Sequence, residues 1–578
     1  MDIPKNLLIA RRALEEVLEF ELIQDWKIDN TTKKWYLIFK IIIESNINID
    51  KETYWTALIN NDSPYSEIEI YPEKTRGLSN TYPHQSNNGL NSKLSFLKSG
   101  KICLKKQNDY ISDKNMGLFE NINSLIEWIK QADKNILLKE GDYFEKLDYN
   151  IYNNYTIVFN EDFKTYEYWN NQEHSYGYTE LKNLNKLKII TIFKDYKNKN
   201  IIHNNSWGGF INNFDGKELG IWILLKEFLV LNKWQAPNTF EELEEAFQLQ
   251  NKSFFGILSK LIPKLIDDKE HIVSIGFPMP EIVGNSQKII FWQNFVLPKL
   301  AKNIKGFRKT EINYFNYFKN NLLVNNLIQW EESENWNQNN LLKRGKYSEK
   351  LCNLNFLIIG AGSLASVLSE MLVRNGITKL GIIDFDIFKA GNLARHTLTL
   401  EYVSEEKVGA LKKRLENLNP HVRIEIFSKK FDYNFKNYLS KYNVIIDCTA
   451  NERVLDILSE LKGEQKLFSA SFGYNANILY LYCGTLNIFE KEIYLKKISP
   501  YIVKDLNYIK SHPLPWEGIG CWSPVFPAKY SEVNLIGSTI AELIIKFIEN
   551  EEKTSKYFIY EKFYDEAGYL VGFRNVNL

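Results

Sequence analysis

Cysteine is scarce in this sequence. Five occur in 578 residues, and no two of them form a Cys-x-x-Cys pair. So few cysteines exclude a disulfide framework and are typical of a reducing compartment, so we predict a cytoplasmic protein. The missing pair argues against a structural zinc site, and no residue is predicted to be a ligand of a structural metal.

A charge excess and a long apolar run are also missing. Lys and Arg total 72 against 71 Asp and Glu, which leaves no basic surplus of the kind that marks nucleic-acid binding. No run of about 20 apolar residues occurs, so we expect no membrane span. The first 20 residues read as an amphipathic helix and not as a signal peptide.

Three regions separate along the chain. Residues 1–145 begin and end with helical patterns around strand-like runs such as KKWYLIFKIII, which predicts an α+β domain. Residues 146–340 mix aromatic strand-like runs with helical stretches into a middle domain without a site motif, and the polar run EESENWNQNN predicts a linker. Residues 341–578 alternate strands with helices, which predicts a Rossmann-like α/β domain with a mostly parallel sheet.

A glycine-rich turn opens this last region. The run FLIIGAGSLA is a buried strand followed by Gly360, Gly362 and a helix start. Gly360 permits a tight turn, and Gly362 lets the backbone approach a phosphate at the helix N-terminus. Asp384 ends the next strand, where a carboxylate can accept hydrogen bonds from ribose hydroxyls. The pattern predicts a nucleotide site.

Cationic and amide side chains follow that strand. Asn392 and Arg395 stand in DFDIFKAGNLARHTL, and Lys407 stands at a helix start. They suit a triphosphate, because cations stabilise charge when phosphate is transferred or departs. An NAD-dependent oxidoreductase is the alternative, since it explains the glycines and Asp384 but leaves the cations without a role.

Residues 340–578 resemble the adenylation domain of the ubiquitin-activating superfamily, which includes the bacterial thiamine and molybdopterin (ThiF-type) enzymes. The resemblance rests on GAGSLA, DFDIFKAGNLAR, a following Lys and DCTAN. It implies ATP as substrate, Asp384 at the ribose, Asp447 facing the nucleotide and Arg344 reaching the site of a partner subunit in a homodimer. The residues that would hold the phosphates are Asn392, Arg395 and Lys407.

One position departs from the family pattern. The family has a second acid in Asp-x-Thr-Asp-Asn, which serves Mg²⁺, and this sequence has Ala450 there. Alanine cannot bind a cation, so the magnesium ligands stay open, with Asp447 or Asp386 as candidate substitutes.

The run GIGCWSPVF places Cys521 in a loop flanked by glycine. A thiol that attacks an adenylated carboxylate must be partly exposed and able to ionise, and the superfamily's protein-activating members carry their catalytic cysteine in this part of the domain. Cys521 is therefore the predicted nucleophile. Cys448 is the rival, and Cys352 and Cys483 are predicted to lie in the core.

Residues 1–140 resemble a ubiquitin-conjugating enzyme. They have an opening helix, a strand ending IEIYP, the run YPHQ, a Gly-x-Ile-Cys-Leu run with Cys103, and a helix with Trp128. The resemblance implies a thioester on Cys103. The family's oxyanion-stabilising Asn is not in register, and His84 or Asn91 are candidate replacements.

Conjugating-like, middle and activating-like regions in one chain resemble the fused bacterial enzymes of CBASS anti-phage operons. That resemblance implies that the partner is a cGAS-like nucleotidyltransferase with a free C-terminus. It also implies that this C-terminus is transferred to an acceptor amine. A non-catalytic nucleotide-binding scaffold is a further alternative, favoured by Ala450 and opposed by the two cysteine motifs. The identities of the partner and the acceptor stay open.

Overall fold

The structure is a computed structural model of the chain. It describes residues 3–60, 67–89, 94–104, 116–300, 307–322, 326–473, 476–512, 514 and 526–576. Two compact units form. The first joins Met1–Asn205 with Gly216–Trp336, and the second joins Ser206–Asp215 with Asn337–Leu578. Among the described residues, no helix combines the length and the apolar character that crossing a membrane requires.

The first 133 residues form a helix-flanked antiparallel sheet. Its elements are α1 (Lys5–Leu14), β1 (Phe20–Ile28), β2 (Trp35–Ile42), β3 (Glu52–Ile59), β4 (Ile68–Pro72) and α2 (Gly117–Asp133). The strands pair in chain order as a meander. Buried Leu7, Ala10 and Leu14 give α1 one apolar stripe, as expected for a helix that covers a core. The predicted α+β pattern is present, with β1 and β3 as additional strands.

The middle region forms a second sheet. Its elements are β5 (Ile151–Phe159), α3 (Phe163–Asn170), β6 (Tyr176–Leu184), β7 (Leu187–Lys194), β8 (Ile201–Asn204), β9 (Asp215–Leu224), α4 (Phe240–Gln248), α5 (Phe254–Leu261), β10 (His271–Pro280), β11 (Lys288–Leu297), α6 (Glu311–Leu322) and β12 (Gln329–Asn335). The strand order is β5-β12-β11-β10-β9-β6-β7-β8, and β5 also pairs with β7. This extra pairing closes seven strands into a ring, which removes most free edges.

The predicted linker EESENWNQNN is wrong over its first half, because Glu331–Asn335 belong to strand β12. Glu331 is fully buried, and its carboxylate accepts hydrogen bonds of 2.8 Å from Asn154 Nδ2 and the Tyr155 backbone. Ser333 is buried too, and its hydroxyl accepts from Asn294. Polar residues can occupy a core strand when every group finds a partner.

The second unit is a doubly wound α/β domain. Its elements are α7 (Gln338–Leu341), α8 (Glu349–Cys352), β13 (Phe356–Ile359), α9 (Ser363–Arg374), β14 (Lys379–Asp384), α10 (Lys407–Glu416), β15 (Arg423–Ser428), α11 (Lys436–Leu439), β16 (Val444–Asp447), α12 (Glu452–Glu460), β17 (Lys466–Phe472), β18 (Ile478–Thr485), α13 (Lys491–Ser511), α14 (Tyr530–Glu549), β19 (Lys556–Tyr564) and β20 (Leu570–Asn575).

Its sheet has the order β15-β14-β13-β16-β17-β18-β19-β20. The strands from β15 to β17 are parallel, and β18, β19 and β20 add an antiparallel edge. Phe356 and Ile358 pack in a core with α9, α10 and α14, whereas Leu357 and Ile359 pack in a core with α12 and α13. Alternating strand residues thus serve opposite faces, and the strand order reverses between β13 and β16, where α/β proteins bind ligands.

A short stretch inside the middle region belongs to this second unit. The backbone N–H groups of Gly208 and Gly209 donate to the carbonyls of Pro420 and Val422, at 2.7 and 2.9 Å. The Trp207 ring stacks on His421 with 5.6 Å between ring centroids. Residues 206–215, which we call the inserted segment, therefore extend the α/β unit beside the start of β15.

Candidate active site

The glycine turn after β13 has the conformation that its residues predict. Gly360 has a φ of +94°, which L side chains rarely adopt. A Cβ at this position would lie 3.2 Å from Thr449 Cγ2. Gly362 is the N-cap of α9, and a Cβ there would meet nothing within 4 Å. The turn therefore leaves open space at the N-terminus of a three-turn helix, where anions bind well.

Asp384 is tied to this turn from the end of β14. Its Oδ2 accepts a hydrogen bond of 2.6 Å from the Ala361 backbone N–H, and its Oδ1 accepts one of 2.8 Å from the Asp386 backbone N–H. Each carboxylate oxygen has a further lone pair, so the group can still accept a bond from a sugar hydroxyl.

A cavity of about 240 Å³ lies beside the turn. Its lining includes Gly362 and the three predicted phosphate ligands, Asn392, Arg395 and Lys407. Lys407 Nζ pairs with Asp386 Oδ2 at 2.9 Å, and the Arg395 guanidinium donates to the Phe526 carbonyl. Two cations and an amide, from the loop after β14 and the start of α10, thus converge at the end of the sheet.

Asp447 differs from the expectation that it faces the nucleotide. Its side chain is almost completely buried and is not part of the cavity lining. Its Oδ1 accepts from the backbone and hydroxyl of Thr449, and its Oδ2 accepts from Ser469. Burial raises the pKa of Asp447, while these bonds lower it. Asp447 thus holds the turn that carries Ala450.

His396 is a cavity residue that the sequence reasoning missed. Its Nε2 lies 2.9 Å from the Ala361 carbonyl, and its Nδ1 accepts from the Leu398 backbone N–H. Burial lowers the pKa of His396 to about 4. The imidazole is therefore neutral near pH 7, and its contact with the Ala361 carbonyl supports the glycine turn. Its only sequence signal is its place directly after Arg395.

The thiols divide by environment. Cys352 and Cys483 are buried, as predicted. Cys448 lines the cavity, but burial raises its pKa well above the usual value, which disfavours a nucleophilic role because the thiolate is the reactive form. Cys521 and Asn91 lie outside the described residues.

Cys103 is exposed, and the run YPHQ lies next to it. The Cys103 backbone N–H donates a bond of 2.7 Å to the His84 carbonyl, although the two residues are 19 positions apart along the chain. The Trp128 indole donates to the Pro83 carbonyl at 3.1 Å and fixes the run against α2.

Arg344 and the acids near the cavity complete the predicted set. Arg344 is exposed in the stretch between α7 and α8 and is not among the cavity-lining residues. Asp386 is exposed and keeps its Oδ1 outside the ion pair with Lys407. Within the described ranges, no three acidic, His or Cys side chains are grouped closely enough to hold a metal ion by themselves.

Comparison with known proteins agrees with this geometry. Residues 135–336 match the Cap2 central linker domain, and residues 337–489 match the ThiF family. The ATP-dependent ubiquitin transferase-like protein Cap2 of Enterobacter hormaechei is 28% identical over 557 residues, which are 91% of this chain and 92% of that protein. The chain is a relative of Cap2.

The ThiF-family part has further relatives. The molybdopterin-synthase adenylyltransferase of Haemophilus influenzae is 30% identical over 144 residues, covering 24% of this chain and 59% of that protein. The solved structure of E. coli MccB with ATP is 18% identical, covering 47% of this chain and 79% of that one. Its TM-score of 0.29 is too low to compare the two folds.

The similarity to Cap2 and the two family matches confirm the predicted resemblance to the fused bacterial enzymes, while the conjugating-like character of residues 1–145 stays a prediction. This Cap2 relative is a transferase with adenylation activity, and its residues 337–489 are a ThiF-family domain with a Rossmann-like fold. The oxidoreductase and scaffold alternatives gain no support from them.

Proposed function

We propose that this protein adenylates the C-terminal carboxylate of a partner protein with ATP, captures it on Cys521, passes it to Cys103 and transfers it to an acceptor amine. The convergence of Asn392, Arg395 and Lys407 on one cavity at the glycine turn carries the proposal. A dinucleotide would use the turn and Asp384 but would leave two cations without a ligand.

The residues present fit ATP. Gly362 leaves room for a phosphate at the N-terminus of α9, Arg395 and Lys407 supply positive charge, and Asp384 is held where the ribose would lie. Arg395 and Lys407 would stabilise the charge that develops as the carboxylate attacks the α-phosphorus and pyrophosphate leaves. Asp386, whose Oδ1 lies outside the ion pair with Lys407, would be the carboxylate that holds Mg²⁺, which usually binds one or two protein carboxylates together with phosphate oxygens.

The thioester steps follow from the chemistry of an acyl adenylate. A Cys521 thiolate attacks the acyl carbon and AMP leaves, and a Cys103 thiolate then attacks that carbon and Cys521 leaves as thiolate. The exposure of Cys103 supports its role as the second carrier. The partner would be a cGAS-like nucleotidyltransferase in anti-phage defence, supported by the resemblance to fused CBASS enzymes and by the similarity to Cap2.

We further propose a homodimer in which Arg344 reaches the nucleotide site of the partner subunit. Its exposure supports this role, and it is not among the residues that line its own cavity.

Thioester trapping tests the relay. The full chain is incubated with ATP, Mg²⁺ and a cGAS-like nucleotidyltransferase with an intact C-terminus, and the products are separated on non-reducing and reducing gels. Cys103→Ala should form a reductant-sensitive adduct on Cys521 but no stable conjugate. Cys521→Ala should retain ATP–pyrophosphate exchange but load neither thiol. Cys352→Ala is the matched control, because that buried thiol has no proposed role.

Two results would overturn the relay. Normal charging of Cys103 in Cys521→Ala would show that Cys103 attacks the adenylate directly. Normal reductant-resistant conjugates from Cys103→Ala would make the N-terminal region a binding module only.

A further inference from the structure

The run YPHQ and the strand-like GKICL face each other as two short antiparallel stretches. Gln85 pairs with Ile102 in an antiparallel bridge. Two hydrogen bonds flank it, from Cys103 N–H to the His84 carbonyl and from Ser86 N–H to the Lys101 carbonyl, at 2.7 and 2.9 Å. His84 and Cys103 are therefore directly opposite each other in the register.

Burial shows which way these side chains point. Gln85 and Ile102 are buried, whereas Cys103 is exposed and His84 is half-buried. The 2.7 Å backbone hydrogen bond holds His84 and Cys103 next to each other, and neither side chain is buried. An imidazole is thus a neighbour of the proposed thioester.

The His84 side chain has a carboxylate partner from the Cap2 linker region. Glu145 Oε2 lies 3.2 Å from His84 Nδ1 and also accepts a bond of 2.6 Å from the His84 backbone N–H. His84 has a φ of +61°, an uncommon conformation for a non-glycine residue, and the second bond holds it there. A carboxylate at Nδ1 favours the tautomer that leaves Nε2 as a proton acceptor.

We propose that His84 is the general base for the acceptor amine at Cys103, and that Glu145 is its positioning residue. The inference rests on the proposed function, because it concerns the last transfer of that relay. The amine attacks the acyl carbon, the C–N bond forms and the C–S bond breaks. His84 Nε2 takes the proton from the nitrogen and returns it to the departing Cys103 thiolate, so an amide and a free thiol result.

Charged groups on several elements face Glu145. Burial raises the pKa of Glu145, the facing His84 lowers it, and nearby Asp148 raises it. Asp148 itself accepts from the Asn87 backbone N–H. Glu145→Gln would remove this charge while keeping a side-chain oxygen that can accept from His84 Nδ1.

The test loads Cys103 without ATP. The full chain, with Cys521→Ser to remove the other candidate nucleophile, reacts with a short peptide thioester, and Cys103→Ala confirms where the adduct forms. Single-turnover discharge to lysine and to hydroxylamine is followed across pH 5.5 to 9, with rates corrected for the fraction of free amine. Hydroxylamine needs less help with proton removal, so it reports whether the thioester remains accessible.

His84→Gln should slow discharge to lysine by about 10²-fold, the scale of a lost general base, and leave discharge to hydroxylamine near the wild-type rate. Glu145→Gln keeps an acceptor for Nδ1 and should retain most of the discharge rate to lysine, whereas Glu145→Ala removes that acceptor and should slow discharge to lysine but not to hydroxylamine. Glu140→Gln, an exposed acid in the same segment, should change neither profile.

The inference is wrong if His84→Gln discharges to lysine at the wild-type rate. It also fails if the wild-type thioester reacts with lysine no faster than the free peptide thioester. If ATP-dependent loading fails but discharge after chemical loading still depends on His84, the relay is refuted and this inference still holds.

Discussion

The Ala361 backbone N–H donates a hydrogen bond of 2.6 Å to Asp384 Oδ2, so the glycine turn after β13 and the end of β14 are fixed to each other. In the proposed function, this bond would set the distance between a phosphate at the turn and a ribose at Asp384. The Asp384 side chain would then have two functions, to hold the turn and to accept bonds from the sugar.

Asp384→Ala should raise the KM for ATP in partner-dependent ATP–pyrophosphate exchange by about 10- to 100-fold. A hydrogen bond to a charged group contributes about 1.5–3 kcal/mol, and the turn also loses its anchor. Asp432→Ala is the control, because Asp432 accepts from the Asn434 backbone N–H in another loop of the same unit. An unchanged KM in Asp384→Ala would remove the ribose assignment.

Arg395→Ala and Lys407→Ala should each lower the rate of ATP–pyrophosphate exchange by about 10²-fold or more, because each removes a charge that stabilises the transferring phosphate. Lys413→Ala tests for a general effect of lost charge. Lys413 lies on α10 with Lys407 and pairs with Glu405 at 2.8 Å. Full exchange in both site variants would contradict their assignment.

Glu161 should make the stability of the middle domain depend on pH. It is fully buried, accepts from the Trp169 and Trp292 indoles, and burial raises its pKa to about 7. Between pH 4.5 and pH 7 the folded state therefore keeps a proton that the unfolded state has lost. The stability that this proton contributes is fully present below pH 4.5 and is lost as the pH rises through about 7.

Relative to Glu161→Gln, the wild-type chain should lose about 3 kcal/mol of stability between pH 5 and pH 8. Thermal unfolding followed by tryptophan fluorescence at both pH values measures the difference. Glu167→Gln, an exposed acid on α3, should follow the wild type. A Glu161→Gln curve that stays parallel to the wild type would show that Glu161 does not titrate in this range.

Gly208→Ala should detach the inserted segment. An added Cβ would lie 2.3 Å from the Val422 carbonyl oxygen, which is backbone and cannot move aside cheaply. Hydrogen exchange measured by mass spectrometry should then show faster exchange in peptides that cover 206–215. Gly345→Ala places its Cβ in open space and should leave this protection unchanged. Wild-type protection in Gly208→Ala would show that the segment is held by other contacts.

The α/β unit could be predicted in detail because its signals are local. Gly360, Asp384 and Arg395 lie close to strand and helix starts that alternate regularly. The structure places Gly360 in a turn with positive φ, Asp384 at the end of β14 and Arg395 in the cavity lining. His396 could not be predicted because its contact with the glycine turn depends on burial in the tertiary fold. The residues around it show no pattern that indicates burial.

The polar strand β12 could not be predicted for a different reason. The run around Glu331 has the composition of a solvated linker, and its burial depends on partners such as Asn154 and Asn294 that are distant in sequence. Glu145 was missed in the same way. It lies in an ordinary charged stretch, and only the tertiary fold brings it to His84.

The inserted segment also bears on how such a chain can be divided or recombined. An end-to-end fusion of two proteins has one junction, but this chain passes between its two units at 205/206, 215/216 and 336/337. A cut at the last junction would separate the α/β half from the ten residues that cover the start of its β15. The two halves therefore cannot be exchanged between relatives as independent domains, because the inserted segment must fit the α/β half against which it packs.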